Sequence, residues 1–362
     1  MLFASLVGIK VLHAHRNSAW AQHAQRMGAP HGLAHGSSEN PLSGFFLPGA
    51  CAGAAVARER RSGGVPSSRG KMAADDELFV LKNLFHLGCY QQAISESISA
   101  HPSNPESAIE AKFFMYRAYI EQGQYRLVLD EVRQDAPPAL LAVKTLAAYL
   151  SGNQEVAVSQ IKELLAQAAG NWQVLLVAAS IFCQEKDYKS ALQHSHQNTQ
   201  LDVMALVTHI YLALHRTELA KKHLAAMQAQ DDDATLTKLA AGWVAMHEGG
   251  EKYQDALYEF QELGEKYSMS LMLLNSMAVC QMQMGKFRDA EELLQQAQSK
   301  SSNDVNTMAN MAVCAQHLEK APEVINRYVN QLKDAAPKHP WAQRHEELTA
   351  SFDRCAAQFG KA

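Results

Sequence analysis

Met277-Ala278-Val279-Cys280 returns, residue for residue, as Met311-Ala312-Val313-Cys314, 34 residues further along the chain. A segment repeating at that interval marks one small structural unit used more than once. A unit of this size cannot bury its own apolar face. Stacking neighbour on neighbour does bury it, so the chain reads as a scaffold built in one dimension.

The residues around the repeat extend it. After the first copy come Gly285, Phe287 and Ala290: a turn residue, an apolar residue two later, and a small one three beyond. The same order appears at Gly88/Tyr90/Ala93, Gly123/Tyr125/Val128, Gly152/Gln154/Ala157 and Lys186/Tyr188/Ala191. It continues at His215/Thr217/Ala220, Glu251/Tyr253/Ala256 and Glu319/Ala321/Val324. The intervals between successive turn positions are 35, 29, 34, 29, 36, 34 and 34 residues. Two antiparallel helices need a sharp turn, which glycine makes at positive φ without steric cost. The small residue belongs where the two helices come closest. One helical turn later the same face returns, at Val132, Ile161, Leu224, Phe260, Leu294 and Tyr328, with Ser97 and Ser195 as exceptions. The fold class is therefore all-α: a right-handed α-solenoid of tetratricopeptide-like helical hairpins. The Trp-x-x-Leu-Gly-x-x-Tyr run of such first helices is missing almost throughout, and the 29-residue intervals imply shortened units.

Composition fits a folded scaffold. The chain has 362 residues and 47% hydrophobic content, enough for a substantial core. No apolar run approaches the length of a membrane span. The six cysteines are scattered without a Cys-x-x-Cys pair, so they read as small reduced side chains, with Cys280 and Cys314 at equivalent points of neighbouring units. Residues 1–71 hold eight Lys/Arg against two Asp/Glu, and the remainder holds 25 against 35. An acidic body lacks the clustered basic face of a nucleic-acid platform, so no nucleic-acid partner is expected.

Residues 1–71 stand apart. They carry ten of the twenty glycines, four prolines and five irregularly spaced histidines, with no sustained periodicity. This predicts a disordered N-terminal extension. Leu2–Ile9 is a short apolar run with no basic residue before it, a poor secretory signal. Few acids and several arginines also suit a mitochondrial transit peptide, an address the rest of the chain does not fit. Met72-Ala-Ala-Asp-Asp-Glu reads as an ordinary cytosolic start, and the array of residues 72–362 follows directly.

Within that array Leu78, Leu81, Phe85 and Leu87 make the apolar face of the first helix. Breakers at 101–105, 137–138, 151–153, 247–250, 299–303 and 337–340 separate the helices. Asp231–Asp233 predicts a helix N-cap. Leu348, Phe352, Cys355 and Phe359 form one stripe on a last helix, expected to cap the array.

Motifs for chemistry are missing. There is no phosphate-binding Gly-x-x-x-x-Gly-Lys-Ser/Thr loop and no Gly-x-Ser-x-Gly elbow. His247-Glu248 runs into two glycines and has no second histidine at zinc-binding spacing, and His194 and His196 lie on different sides of a helix. No catalytic, cofactor-binding or metal-binding residue is expected, and no cofactor. Candidate partner contacts are the aromatic residues Phe113, Tyr116 and Tyr119, with Asn275 and Asn310 near inner helix faces. Lysines do not accompany those asparagines in consecutive units, so carboxylate capture of the cochaperone kind is unsupported. A generic adaptor that binds short peptides stays as the alternative.

Four stretches carry a resemblance. Asp76-Glu-Leu-Phe-Val-Leu-Lys-Asn-Leu-Phe-His-Leu-Gly-Cys-Tyr-Gln-Gln-Ala93 is similar to the opening of the epsilon subunit of coatomer. Residues 116–119 through 128–132, Asp231–Leu239 and Pro322–Ala335 resemble further segments of that family. The resemblance spans about Asp75 to Phe359. It implies a non-enzymatic subunit of the COPI coat that holds the C-terminal region of the alpha subunit, beside the beta-prime subunit. It implies peripheral placement on the cytoplasmic side of Golgi and COPI vesicle membranes, in Golgi-to-ER and intra-Golgi transport.

Overall fold

Glycine at a turn and a small residue five positions later predict a hairpin, and each predicted hairpin is present. The structure is a computed structural model that describes residues 77–337 and 339–359. The expectations for residues 1–71, disorder and a start at Met72, lie outside them.

Helices α1 (Phe79–His86) and α2 (Tyr90–Ser99) make the first hairpin, α3 (Pro105–Glu121) and α4 (Tyr125–Glu131) the second. Then follow α5 (Pro138–Ser151) with α6 (Gln154–Gln167), and α7 (Trp172–Gln184) with α8 (Tyr188–Ser195). Next come α9 (Leu201–Ala213) with α10 (Thr217–Gln230), and α11 (Thr235–Glu248) with α12 (Lys252–Lys266). The last two are α13 (Leu271–Gln283) with α14 (Phe287–Lys300), and α15 (Val305–His317) with α16 (Pro322–Ala335). A final helix, α17, runs from Pro340 to Phe359. No strand occurs among the described residues.

The turns share one mechanism. Gly88, Gly123, Gly152 and Gly285 have φ of 81°, 78°, 117° and 77°. In each, the amide of the following residue donates to a carbonyl five residues back, as Cys89 does to Leu84 at 2.8 Å. Lys186, His215 and Glu319 adopt the same left-handed conformation at 61°, 56° and 53°, at a cost of roughly 1 kcal/mol each. The sixth hairpin departs from the expected register. Its positive-φ residues are Gly249 and Gly250, and Glu251 has an ordinary helical φ of −66°.

Seven of the eight small positions are closed: Ala93, Val128, Ala157, Ala191, Ala220, Ala256 and Ala290 are all 0% exposed, while Val324 of the last hairpin is half-buried. At the two exceptional positions a hydroxyl replaces an apolar side chain and bonds a carbonyl: Ser195 to Ala191 at 2.7 Å and Ser97 to Ala111 at 3.2 Å. Successive first helices α3, α5, α7, α9 and α11 pack side by side, as do α13 and α15.

Two local expectations are corrected. The Asp231–Asp233 triplet does not cap α11. Ala234 is the N-cap, and Asp231 instead accepts the amide of Asp233 at 3.1 Å, closing a turn in the loop. The last helix covers little, since α17 buries only Trp341 and Ala342. Leu348, Phe352 and Phe359 stay 41%, 56% and 80% exposed.

Ala290→Trp tests the packing. An indole has no room where nothing is exposed, and overpacking costs roughly 1–3 kcal/mol. The midpoint of urea unfolding should fall with the slope unchanged.

Candidate partner-binding face

Repeat arrays ordinarily lean on nearest neighbours alone. This one does not, because its first helix reaches far along the chain. Leu87 lies at 0% exposure within the apolar core of the later hairpins, the cluster that also holds Leu239, Trp243 and Met277. Thr235, which opens α11, donates its hydroxyl to Asn83 Oδ1 at 2.7 Å across 152 residues of sequence. His86 Nε2 meets Asp202 Oδ1, in the first turn of α9, at 3.0 Å across 116 residues. A Cβ added at Gly88 would touch Met272 of α13 at 3.5 Å. The first helix thus ties the start of the array to its later first helices.

A charged group sits at that junction. The Arg117 guanidinium of α3 lies over the rings of Phe85, Phe113 and Phe114 at 4.5, 5.2 and 5.7 Å. Burial lowers its pKa, and Asp202, Glu121 and Tyr90 oppose that shift. Burial by itself would raise the Asp202 carboxyl, but His86, Arg117 and Lys82 outweigh it and hold it below its ordinary value. Nη1 of Arg117 is buried with no hydrogen-bond partner in the protein, and Arg117 helps to line a cavity of about 60 Å³ together with Tyr90, Ser180 and Met272. A space of that size holds two or three waters. Among the described residues no cluster of His, Cys, Asp or Glu is suited to a metal ion.

The candidate contacts are placed differently from expectation. Phe113 is 0% exposed and packs edge-on against Phe114 and Trp172, at 5.7 and 5.8 Å. Tyr116 is 8% exposed, and only Tyr119 is half-buried. The aromatic cluster is therefore core, leaving Tyr119 as its accessible edge. Asn275 and Asn310 are also buried, and they bond each other. Asn310 Nδ2 donates to Asn275 Oδ1 at 2.9 Å, and Asn275 Nδ2 donates to Thr307 Oγ1 at 2.9 Å. These amides register α13 against α15, and burial takes them away from any partner. Asn83, His86, Arg117, Asp202 and Thr235 escaped the sequence reading. Polar side chains at core-facing helical positions were the one available signal.

Asp202→Ala and Thr235→Val each remove one tie on α1 and leave its partner uncompensated, at about 1–3 kcal/mol. Amide hydrogen exchange should quicken in Phe79–His86 and stay unchanged in α15 and α16. A second expectation concerns acid. Burial holds His209 of α9 neutral and lowers its pKa from 6.5 to about 4. The unfolded chain then binds the extra proton between those values. Stability should be lost as pH falls through 6.5 towards 4, by roughly 3 kcal/mol. His209→Gln should flatten that window in thermal melts taken across the range.

The comparisons agree with this architecture. Two solved structures share the fold. The Cut9–Hcn1 hetero-tetramer of the APC/C superposes with a TM-score of 0.54 at 15% identity, over 75% of this chain and 55% of that one. A tetratricopeptide repeat protein from Parabacteroides merdae gives 0.51 at 13% identity, over 72% and 98%. The model of the coatomer epsilon subunit family matches residues 74–360. Coatomer subunit epsilon-1 of Arabidopsis thaliana is 41% identical over 292 residues, 80% of this chain and 99% of that protein. The epsilon subunit of Dictyostelium discoideum is 33% identical over 298 residues, 79% and 99%. A match running through nearly the whole array makes this chain a member of the coatomer epsilon subunit family.

Proposed function

We propose that this chain is a non-enzymatic structural subunit of the COPI coat, and that it binds and stabilises the C-terminal region of the alpha subunit. Through alpha it joins the beta-prime subunit and the rest of the coatomer. It works peripherally on the cytoplasmic side of Golgi and COPI vesicle membranes, in retrograde Golgi-to-ER and intra-Golgi transport. Among the described residues no helix is long and apolar enough to cross a membrane, in keeping with attachment through the coat.

The observation that carries this reading is that the family match runs unbroken from residue 74 to residue 360. The whole array, and not one hairpin, is what the family shares. A stack of helices closed by its own first helix offers a rigid surface that needs little ordering when a partner binds.

The test is affinity purification of the full chain from cytosol. Alpha and beta-prime subunits should be recovered in equal amounts. The isolated chain should melt below its complex with the alpha C-terminal region, by the increment that mass action gives a ligand of the folded state. Recovery of chaperones alone, with binding to a free acidic C-terminal peptide, would instead establish the generic adaptor.

A further inference from the structure

We infer that α17 is a docking helix for an amphipathic helix of another coat subunit. Its stripe falls at Trp341, His345, Leu348, Phe352, Cys355 and Phe359, intervals of four, three, four, three and four, and is apolar everywhere but at His345. That is the 3.5-residue period of a two-helix seam, narrower than the stripe a helix buries within a globular stack. The array uses only the first turn of it. Trp341 is buried and stacks on His345 at 5.2 Å, while Leu348, Phe352, Cys355 and Phe359 face solvent.

The flanks define the occupant. On one side of the exposed seam stand Thr349 and Ala356, small and uncharged, which let a second backbone approach closely. Beyond them lie Glu346 and Asp353, two exposed carboxylates one heptad apart. On the other side the charges are engaged within the helix. Arg344 pairs with Glu347 at 3.0 Å, and Arg354 donates to Ser351 at 2.9 Å. The seam therefore fits a helix with leucine- or isoleucine-type residues at the same period and lysine or arginine along one edge.

A second copy of this chain fits less well. The exposed seam is about 18 Å long and offers apolar area on the order of 350 Å². Two copies would bury roughly twice that, below the roughly 1,200 Å² of a stable interface. Two such faces would also set Glu346 and Asp353 against like charges. A helix from a chain already held in the same assembly needs far less area, because its effective concentration is high. The inference rests on membership of a multi-subunit coat and holds whichever subunit the array itself grips.

The test uses the full chain within the assembled coat. A photoreactive phenylalanine analogue in place of Phe352 should cross-link, on irradiation, to a helical peptide of another coat subunit bearing apolar residues at three- and four-residue intervals with a basic edge. Cross-linking to a second copy of this chain, to its own array, or to nothing would overturn the inference. In parallel, Leu348→Glu with Phe352→Glu should weaken binding to the remaining coat subunits about ten-fold or more, the loss of one apolar hot spot. Glu346→Lys with Asp353→Lys should weaken it by a salt-sensitive factor of about three. All four positions are exposed, so the isolated variants should melt like the parent. Affinities within two-fold of the parent for both variants would sink the docking helix while leaving the alpha-subunit interaction standing.

Discussion

Closure of the array by its own first helix is the constraint on which the rest depends. Asn83, His86 and Leu87 lie within five residues of one another, yet they engage α9, α11 and the later core. A stack whose units touch only their neighbours can fray or curve freely, because each interface is independent. Joining its beginning to its middle removes that freedom. The curvature of the intervening hairpins must then close to within hydrogen-bonding distance, and every shortened unit between them contributes to meeting it. Units at 29-residue spacing, which look like defects in a regular solenoid, change how far each hairpin advances the curve. Such contacts also raise the mean sequence separation of the fold, which slows folding relative to a simple repeat array and makes unfolding more cooperative.

The junction is held by polar groups in apolar surroundings. An arginine laid over three aromatic rings keeps its charge against the faces of those rings and its stem in the core. Asp202 supplies compensating charge, and the helix dipole at the start of α9 favours a carboxylate there. Burying such groups gives little net stability by itself. Their geometry does penalise any other register of α1 against α9 and α11, since a shift of one turn would strand a carboxylate and an amide away from their partners. The Asn275–Asn310 pair does the same between neighbouring units, in a stretch where Met-Ala-Val-Cys occurs twice and the apolar contacts alone would accept a slip.

How much of this was legible in the chain follows from the range of each interaction. Gly285, Phe287 and Ala290 act within one hairpin, so their spacing revealed both the turn and the buried small position. Lys186, His215 and Glu319 were legible only because glycines at equivalent places marked the register; by themselves they give no sign of a left-handed turn. Glu251 misled, because two adjacent glycines at 249 and 250 shifted that turn by one or two positions. Asn275 and Asn310 looked like surface groups because the pattern shows which helix a residue is on but not which polar side chains meet across units. The ties of Asn83 and His86 run over 152 and 116 residues, and no local period records them.

The two ends of the array are treated in opposite ways. The first helix turns inward and spends its polar and apolar groups on the stack. The last points outward and keeps most of its apolar stripe in water. Their faces differ to match. The first helix buries Leu81, Asn83, Phe85 and His86, a face broad enough to sit among several helices, whereas the α17 stripe keeps a strict 3.5-residue interval that suits one. A capping helix must cover the final hairpin with one wide apolar face and show a polar one to solvent. A seam this narrow leaves α16 mostly uncovered and cannot do that. The sequence of α17 is thus written for a contact that the chain by itself does not supply, which is the condition expected of a subunit whose folded surface is completed only in an assembly.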